Sequence, residues 1–440
     1  MKNPREHFFE TWIDDLSHDG RGVAHVEGKT VFVADALPGE RVRARLTRRH
    51  RHFDEARAEE ILEASADRVE ARCPHYGVCG GCALQHLAPT AQIAAKQNVL
   101  AQNFARIGHV EPGRWLAPLA DDGWGYRRRA RLSVKHVAKK GRTLVGFRER
   151  DPRFVADLVH CDVLDPALGE QLGELGTMLN TLAAAASIPQ IEFASGDDAW
   201  VLVFRHLQPL PEEDRAKLAE FGRDHGFAVM LQAGGTDTVQ PLWPEHVDLH
   251  YGLPEHGLEL AFRPLDFVQV NARLNRRMID HALALLAPGP EDRVLDLFCG
   301  LGNFSLPIAR RAGWVCGVEG DAGLVERARA NAAANGTDNV EFHLGDLAGE
   351  VQGSAWARAD WDLMMLDPPR SGADELLKQL PGKSVRRVVY VSCHPASLAR
   401  DAGMLVREHG FRLEAAGVMD MFPHTAHVES IALFERNARP

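Results

Sequence analysis

The sequence predicts an α/β protein in three parts, whose last part is a doubly wound, mostly parallel sheet. From about residue 272, strand-like and helix-like segments alternate regularly towards the end of the chain. Residues 9–63 contain short strand-like runs separated by glycine turns, a pattern typical of a small OB-like barrel. A strand-rich stretch with a helical interruption lies between them and indicates an α+β region.

Length and composition set the first limits. A chain of 440 residues is too long for one ordinary domain, so two or three are expected. Its 45% hydrophobic and 25% charged residues are those of a globular protein. No stretch is apolar enough to span a membrane, and the first twenty residues hold no signal-like core. We therefore expect a cytoplasmic protein, with no membrane contact and no obligate protein partner evident.

The predicted domains are residues 1–66 for the barrel, 67–262 for the central α+β region and 263–440 for the last domain. A helix at about 89–107 could pack on that last domain. The net charge of −10 argues against a generally basic nucleic-acid binder. Residues 41–57, however, carry seven arginines, and residues 127–142 carry eight Lys or Arg and no acid. These runs are either solvated faces or local phosphate-facing patches.

The last domain opens with a loop that suits a nucleotide-type cofactor. A buried strand, 294–298, runs into Gly300 and Gly302 before a helix, so backbone amides can approach a ligand. Glu319 ends the next strand, where a carboxylate can accept hydrogen bonds from both hydroxyls of a ribose. Ser305 replaces the third dinucleotide glycine, which favours S-adenosylmethionine over NAD. Asp346 follows the third strand, where it could meet an adenine amino group.

Two further strand ends carry the candidate chemistry. Asp367 begins a rigid Asp-Pro-Pro-Arg corner after one strand, and Cys393 ends the following strand just before a helix. A thiol at a helix N-terminus is predicted to have a lowered pKa, which favours a nucleophilic role. Glu429 precedes the final apolar strand and could act as a general base. Cys299 and Cys316 lie within or beside apolar strands and are predicted to be buried packing residues.

A separate group of cysteines indicates a metal centre. Cys73, Cys79 and Cys82 are close together in a Gly-rich loop, and Cys161 lies in a distant loop that could fold back. By themselves the three nearby cysteines fit either zinc or an iron–sulfur cluster. Structural zinc more often shows two short-spaced pairs, so four-thiolate iron–sulfur ligation is favoured.

These motifs resemble the uracil-5 methyltransferases of RNA. The resemblance rests on residues 267–271, 296–303, 367–372, 391–401 and 421–429. The cysteine spacing is similar to that of the iron–sulfur members, and residues 9–63 resemble the TRAM domain, an RNA-binding barrel. All three parts in this order most resemble the branch acting on bacterial 23S ribosomal RNA at the uracil-1939 type of site. His394 departs from the family, which usually has Asn after the nucleophile.

The resemblance implies a Rossmann-like S-adenosylmethionine-dependent methyltransferase domain and a full set of site residues. It implies that Cys393 adds to C6 of a flipped-out uracil of 23S ribosomal RNA and that Glu429 removes the C5 proton after methyl transfer. The implied S-adenosylmethionine positions are Gln269, Phe298, Asn303, Glu319, Asp346 and Asp367. The implied ligands of a [4Fe-4S] cluster are Cys73, Cys79, Cys82 and Cys161.

Three other functions stay open at this point. Transfer RNA could be the substrate within the same family. A base amino-methyltransferase shares the Asp-Pro-Pro corner but needs no thiol. An RNA-binding or chaperone module with a degenerate enzyme domain would neither bind S-adenosylmethionine nor methylate RNA.

Overall fold

The structure, a computed structural model, describes residues 7–349, 351–381 and 384–436. The chain forms two compact units. The first contains the chain up to Val99 together with Arg148–Ala156 and Phe422–His427. The second contains Leu100–Phe147, Asp157–Met421 and the chain from Val428 onwards.

The first unit is built on one six-stranded sheet. Its strands are β1 (Phe8–Trp12), β2 (Asp15–Leu16), β3 (Gly22–Val26), β4 (Lys29–Ala34), β5 (Arg41–Arg49) and β6 (Phe53–Glu63). Their order is β1-β5-β6-β4-β3-β2, and only β4 and β6 run parallel. Alternate residues of β3 to β6 point into one apolar cluster that includes Val31, Val33 and Val42. This is the predicted β-rich N-terminal part.

The second unit contains a mixed sheet formed by the central part of the chain. Its strands are β8 (Arg129–Val137), β9 (Arg142–Gly146), β10 (Gln190–Ser195), β11 (Trp200–Arg205), β12 (Phe227–Gln232) and β13 (Val239–Trp243). Their order is β13-β12-β11-β10-β8-β9, with one parallel pair, β11 and β12. A separate hairpin follows, formed by β14 (Leu249–Leu253) and β15 (Leu258–Phe262).

An eight-stranded sheet forms the rest of the second unit. Its strands are β7 (Arg114–Trp115), β16 (Arg293–Leu297), β17 (Trp314–Glu319), β18 (Val340–Leu344), β19 (Leu363–Leu366), β20 (Arg387–Ser392), β21 (Arg412–Met419) and β22 (Glu429–Glu435). Their order is β18-β17-β16-β19-β20-β22-β21-β7. Strands β16 to β20 run parallel, and β22 is antiparallel to β20 and β21. The predicted doubly wound sheet is confirmed.

Ten α-helices accompany these sheets in the described residues. They are α1 (Pro89–Asn103), α2 (Pro166–Gly169), α3 (Leu172–Leu179), α4 (Glu212–His225), α5 (Ala272–Leu286), α6 (Ser305–Ala309), α7 (Ala322–Ala334), α8 (Ala355–Arg358), α9 (Asp374–Leu377) and α10 (Pro395–Arg407). Within the second unit, the π-helical turn Phe104–Gly108 that ends α1 packs on α10: the Arg407 guanidinium donates to the Gly108 carbonyl at 2.6 Å. In the described part of the chain, no helix is long and apolar enough to cross a membrane.

Candidate active site

The candidate active site lies where the strand order of the eight-stranded sheet reverses. Strand β16 has β17 on one side and β19 on the other, so the loops after β16 and β19 diverge to leave a cleft at the carboxyl edge. The loop after β16 carries Phe298 and Asn303, and the loop after β19 begins with Asp367. The Asp367 amide donates to the Leu297 carbonyl at 3.4 Å, which joins the two loops where they leave their strands.

Cys393 and Glu429 are neighbours because of the pairing of β20 with β22. In this antiparallel ladder Ser392 lies opposite Ser430, and the Ser430 hydroxyl donates to the Ser392 carbonyl at 3.2 Å. Cys393 follows Ser392 and Glu429 precedes Ser430, so both residues lie just beyond the last pair of this ladder. The two side chains are close enough for the charge of Glu429 to raise the pKa of Cys393. Residues far apart in the sequence are thereby held side by side.

The corner that begins at Asp367 is tied to the start of α10. The Ser397 hydroxyl donates to the Arg370 carbonyl at 2.7 Å. The buried Asp401 carboxylate accepts the Ala373 amide at 2.7 Å and the Tyr390 hydroxyl at 2.6 Å. These bonds fix the corner relative to the strand that ends in the thiol. Neither Ser397 nor Asp401 was identified from the sequence as a site residue, since neither stands in a catalytic position of a motif.

His394 caps the helix that follows the thiol. Its Nδ1 accepts the Ser397 amide at 3.3 Å and lies 2.9 Å from the Ser397 hydroxyl. An Asn side chain can satisfy the same free amides of a first turn. His394 can therefore fill the same capping role as the Asn that is usual in the family. The sequence alone did not indicate a role for this side chain.

The predicted low pKa of the Cys393 thiol is wrong for the substrate-free protein. Burial, together with the negative charges of Glu429 and Asp367, raises the pKa of Cys393 to about 11. Arg370 acts in the opposite direction but does not compensate. Any lowering of the thiol pKa by the helix N-terminus is therefore smaller than the increase caused by desolvation and by two carboxylates. Both carboxylates are distant from Cys393 in the sequence.

The two carboxyl groups beside the thiol are also perturbed. Glu429 is 3% exposed, and burial with the nearby charge of Asp367 raises the pKa of Glu429 well above its usual value. Burial likewise raises the pKa of Asp367 to about 7, although its side chain is only partly shielded from solvent. Strongly raised carboxyl pKa values in a cleft mark groups that can exchange protons near neutral pH.

The loop after β16 has the backbone geometry of a ligand cradle. Phe298 adopts φ of 65°, which is rare for a residue with a side chain, and Gly300 and Gly302 adopt φ of 56° and 97°. The amides of Phe298 and Cys299 both donate to the Val318 carbonyl. A side chain added at Gly300 would point into open space, so its backbone is accessible to a ligand.

The Glu319 carboxylate is oriented by backbone amides. One oxygen accepts from Gly300 at 3.0 Å, and the other accepts from Gly320 at 2.7 Å and Asp321 at 3.0 Å. These bonds fix an acceptor beside the glycine turn, at the position predicted for a ribose.

Asn303 and Asp296 flank the same turn. The Asn303 side-chain oxygen accepts from the Tyr251 hydroxyl at 2.8 Å and from the Asn275 amide at 3.0 Å. The hairpin of β14 and β15 thus positions a cofactor-loop residue, which no sequence motif indicated. Asp296 is fully buried and accepts from the Ser305 hydroxyl. Burial, with the charges of Asp367 and Glu319, raises the pKa of Asp296 to about 7.

Gln269 and Asp346 lie further out. Gln269 is half-buried in the loop before α5, where the neighbouring Val270 carbonyl accepts the Arg128 amide at 2.9 Å. Asp346 is exposed after β18, and its carboxylate accepts the Ala348 amide at 3.0 Å. All six residues predicted for S-adenosylmethionine thus belong to the second unit. Five of them end or follow strands of the eight-stranded sheet, and Gln269 precedes α5.

The three nearby cysteines form a defined loop in the first unit. Cys73, Cys79 and Cys82 are half-buried. The Cys73 amide donates to the Gln85 side chain at 3.0 Å, and the Gly81 amide donates to the Cys79 sulfur at 3.4 Å. The Gly80 amide donates to the Arg148 carbonyl at 2.9 Å. Cys161, also half-buried, belongs to the second unit, where its amide donates to the Gly169 carbonyl at 3.0 Å.

The thiol pKa gives a direct prediction. Iodoacetamide should alkylate Cys393 at a rate that rises about tenfold per pH unit from pH 7 to 10 without a plateau, because the thiolate is the reactive form. In Glu429→Gln the rate at pH 9 to 10 should be higher, since loss of a neighbouring negative charge lowers the thiol pKa. Peptide mass spectrometry measures this, with the exposed Glu326→Gln as a control that behaves as wild type. A plateau below pH 8 in the wild type would contradict it.

Comparison with known proteins identifies the family. Residues 89–437 match the tRNA (Uracil-5-)-methyltransferase family, and residues 10–58 match the TRAM domain. Curated relatives named 23S rRNA (uracil(1939)-C(5))-methyltransferase RlmD include those of Xanthomonas axonopodis pv. citri, 59% identical, and Stenotrophomonas maltophilia, 60% identical, each covering 97% of both chains.

The structure of the Pyrococcus abyssi tRNA (uracil-54, C5)-methyltransferase with S-adenosyl-L-homocysteine supports the fold. It matches with a TM-score of 0.74 at 24% identity, covering 97% of this chain and 100% of that one. The family match and the full-length relatives lead to one conclusion: the chain belongs to the tRNA (Uracil-5-)-methyltransferase family.

Proposed function

We propose that this protein methylates C5 of a uracil in 23S ribosomal RNA, using S-adenosylmethionine, at the position equivalent to uracil 1939. The proposal rests on the placement of Cys393 and Glu429 at the end of the β20–β22 ladder, in the same sheet whose strand β16 leads into the glycine turn. The near-full-length similarity to relatives with that named activity supports the substrate. Because ribosomal RNA is the proposed partner, we also propose the cytoplasm as the compartment.

The proposed chemistry uses the thiol as a temporary nucleophile. The Cys393 sulfur forms a bond to C6 of a uracil that has been flipped into the cleft, and the C5=C6 electron pair moves towards O4. C5 becomes enolate-like and takes a methyl group. Glu429 then removes the C5 proton, the double bond re-forms, and the C6–S bond breaks to release the thiolate. Without the thiol C5 is a weak nucleophile, so covalent addition supplies the activation.

Proton movements limit this scheme. Burial raises the pKa of Cys393 to about 11 and the pKa of Glu429 well above its usual value, so both groups of the substrate-free protein are shifted towards their protonated forms. Both groups must lose a proton before they can act in their proposed roles. Raising the pH increases the active form of each, so kcat/KM for RNA is expected to rise with pH above 7.

The cradle after β16 fits S-adenosylmethionine, which supplies an electrophilic methyl group when bound. Glu319 would accept from the ribose hydroxyls, and the accessible Gly300 backbone and Phe298 would line the site. Asp346 is exposed at the next strand end, where an adenine edge could reach it. Gln269, Asn303 and Asp367 complete the set that we assign to the cofactor.

Two substitutions separate the proposed steps. Cys393→Ala should lower the rate of methylation of a 23S ribosomal RNA fragment by roughly a thousandfold or more, since the nucleophile is lost. Glu429→Gln should still form the carbon–sulfur bond and receive the methyl group but retain the C5 proton. Radiolabelled methyl should then accumulate in a protein–RNA adduct that survives denaturing electrophoresis.

The outcomes also distinguish the competing functions. Mapping the labelled base should identify 5-methyluracil in 23S ribosomal RNA, with Glu326→Gln as the active control. Full activity in Cys393→Ala would favour a base amino-methyltransferase. Incorporation into transfer RNA alone would assign the other substrate of the family.

The arginines of the basic run at residues 41–57 differ in their surroundings: some form ion pairs, and others are exposed. In the first unit, Arg41 contacts Glu10 and Glu63, Arg45 contacts Glu59, and Arg43 lies 3.9 Å from Glu60. Arg48, Arg49 and Arg51, at the tip of the β5–β6 hairpin, are exposed and make no ion pair among the described residues. We propose that this tip, rather than the whole run, contacts RNA phosphates.

A matched pair of triple substitutions tests the tip. Changing Arg48, Arg49 and Arg51 to Gln should weaken RNA binding and reduce the magnitude of the slope of log K against log salt by about 2, since about 0.7 counterions are released per phosphate contact on single strands. Changing Arg41, Arg43 and Arg45 to Gln alters the net charge equally but should change the slope much less. Equal effects of both triples would contradict a local contact. Affinity for S-adenosylmethionine should stay unchanged in both.

We further propose that Cys73, Cys79, Cys82 and Cys161 bind a [4Fe-4S] cluster. The half-buried thiols, the fixed loop backbone and the amide of Gly81 directed at the Cys79 sulfur all suit sulfur ligands of a cluster. The family resemblance supplies the fourth ligand. The cluster would hold the cysteine loop in place, with a structural or RNA-positioning role and no step in methyl transfer.

Anaerobic purification tests the cluster. The protein should be brown and contain about four iron atoms and four acid-labile sulfides per chain. Cys161→Ser should lose most of this iron, whereas the exposed Glu326→Gln, outside the proposed set, should retain it. A colourless preparation that holds one zinc ion per chain would overturn the proposal.

A further inference from the structure

A group of potential metal ligands lies on the outer strands of the eight-stranded sheet, outside the proposed active site. Cys316 on β17 pairs with Glu341 on β18, and Val318 pairs with His343. Because side chains alternate along a strand, Cys316, Glu341 and His343 share one face of the sheet. One donor atom from each lies within 4.8 Å of the others.

The local environment leaves an imidazole nitrogen unused. The His343 Nε2 atom is shielded from solvent and makes no hydrogen bond in the described part of the chain, although Glu341 Oε1 lies 3.3 Å away. Buried polar atoms of this kind usually have a partner, and a bound ion is one recognised partner. Cys316 is fully buried beneath this pair, while the side chains of His343 and Glu341 are 37% and 45% exposed.

We propose that Cys316, Glu341 and His343 bind one Zn²⁺ ion, with a fourth position open to water. Zinc accepts a mixed set of thiolate, imidazole and carboxylate ligands in a tetrahedral arrangement. Magnesium and calcium prefer oxygen ligands alone, so the sulfur and nitrogen donors disfavour them. Ions that prefer several sulfur ligands are also disfavoured, because this group offers only one thiolate. The partial exposure of the outer two ligands provides a path by which the ion can enter.

In the proposed binding step, the protein releases one proton for each zinc ion that it binds. Zn²⁺ forms a bond to the Cys316 sulfur as the S–H bond breaks, and the proton goes to solvent. Burial raises the pKa of Cys316 to about 12, so this proton is held tightly in the metal-free protein. The charges facing the thiol are those of Glu341 and Asp296, and the opposing charge of Arg293. Zinc affinity should consequently increase with pH.

The position of the site links it to the cofactor cradle. Strands β17 and β18 lead directly to Glu319 and Asp346, and β18 is the edge strand of the sheet. An ion bridging the two strands would fix the edge on which both carboxylates depend. The alternative is a hydrogen bond from the Cys316 thiol to Glu341 with no ion.

Cobalt substitution tests the site, because Co²⁺ occupies zinc sites and gives a near-ultraviolet charge-transfer band only with thiolate ligands. The protein as purified is titrated with Co²⁺ and then with Zn²⁺. His343→Gln should weaken Co²⁺ binding by roughly tenfold or more, and Cys316→Ser should abolish the band of this site. His250→Gln is the matched control, because His250 also lies beside two carboxylates, Asp198 and Glu259, at 26% exposure.

Each outcome decides the proposal. A band that Zn²⁺ displaces, that is unchanged in His250→Gln and that is lost in Cys316→Ser supports the site. His343→Gln keeps the test valid if the buried Cys316→Ser fails to fold, since His343 is partly exposed. A wild-type protein with no band, or a band that survives at full affinity in His343→Gln, would overturn it.

Discussion

The hydrogen-bonded ladder between β20 and β22 is the constraint on which the candidate site depends. An antiparallel strand beside parallel β20 brings Glu429, the first residue of β22, close to Cys393, the residue after β20. Because β19 lies on the other side of β20, the corner at Asp367 adjoins the same edge. A one-residue shift of the ladder would turn Glu429 to the opposite face of the sheet, so register and chemistry are inseparable here.

The second consequence of this packing is electrostatic. Three ionisable groups are gathered in a place where charge is poorly solvated, so each of them favours its neutral form. A neutral thiol is also less readily oxidised than a thiolate. The raised pKa of Cys393 opposes formation of the thiolate in the substrate-free site. Ser397 and Asp401 add rigidity, because they hold the corner and the helix start in one hydrogen-bonded unit.

Sequence patterns predicted the eight-stranded sheet well and the central region poorly. The alternation predicted from about residue 272 is present as strands β16 to β22, since regular alternation and buried apolar runs leave few other arrangements. In the central region, Glu192 interrupts the apolar pattern of β10; the structure pairs that buried side chain with Arg131 at 2.6 Å. The two-residue strand β7 pairs with β21 from about three hundred residues away, and no local signal could indicate it.

For the proposed site, sequence motifs suggested candidate residues but did not predict the direction of their pKa shifts. Helix position alone predicted a low thiol pKa, whereas burial and the charges of Glu429 and Asp367 shift the pKa of Cys393 in the opposite direction. Likewise, the contact of Tyr251 with Asn303 arises from a hairpin that no motif marks. In the first unit, the sequence showed seven arginines between residues 41 and 57, but only the side-chain ion pairs of the structure reveal that Arg41 and Arg45 are neutralised. Contacts between segments remote in sequence decide these properties.

The central claim is that the Cys393 sulfur forms a covalent bond with C6 of the target uracil. The most direct measurement replaces that uracil with 5-fluorouracil in a 23S ribosomal RNA fragment and adds S-adenosylmethionine. Fluorine at C5 cannot leave as a proton does, so the account predicts a stable methylated adduct that peptide mass spectrometry locates at Cys393. An absence of adduct with a protein that is active on the natural RNA, or an adduct at another residue, would contradict it.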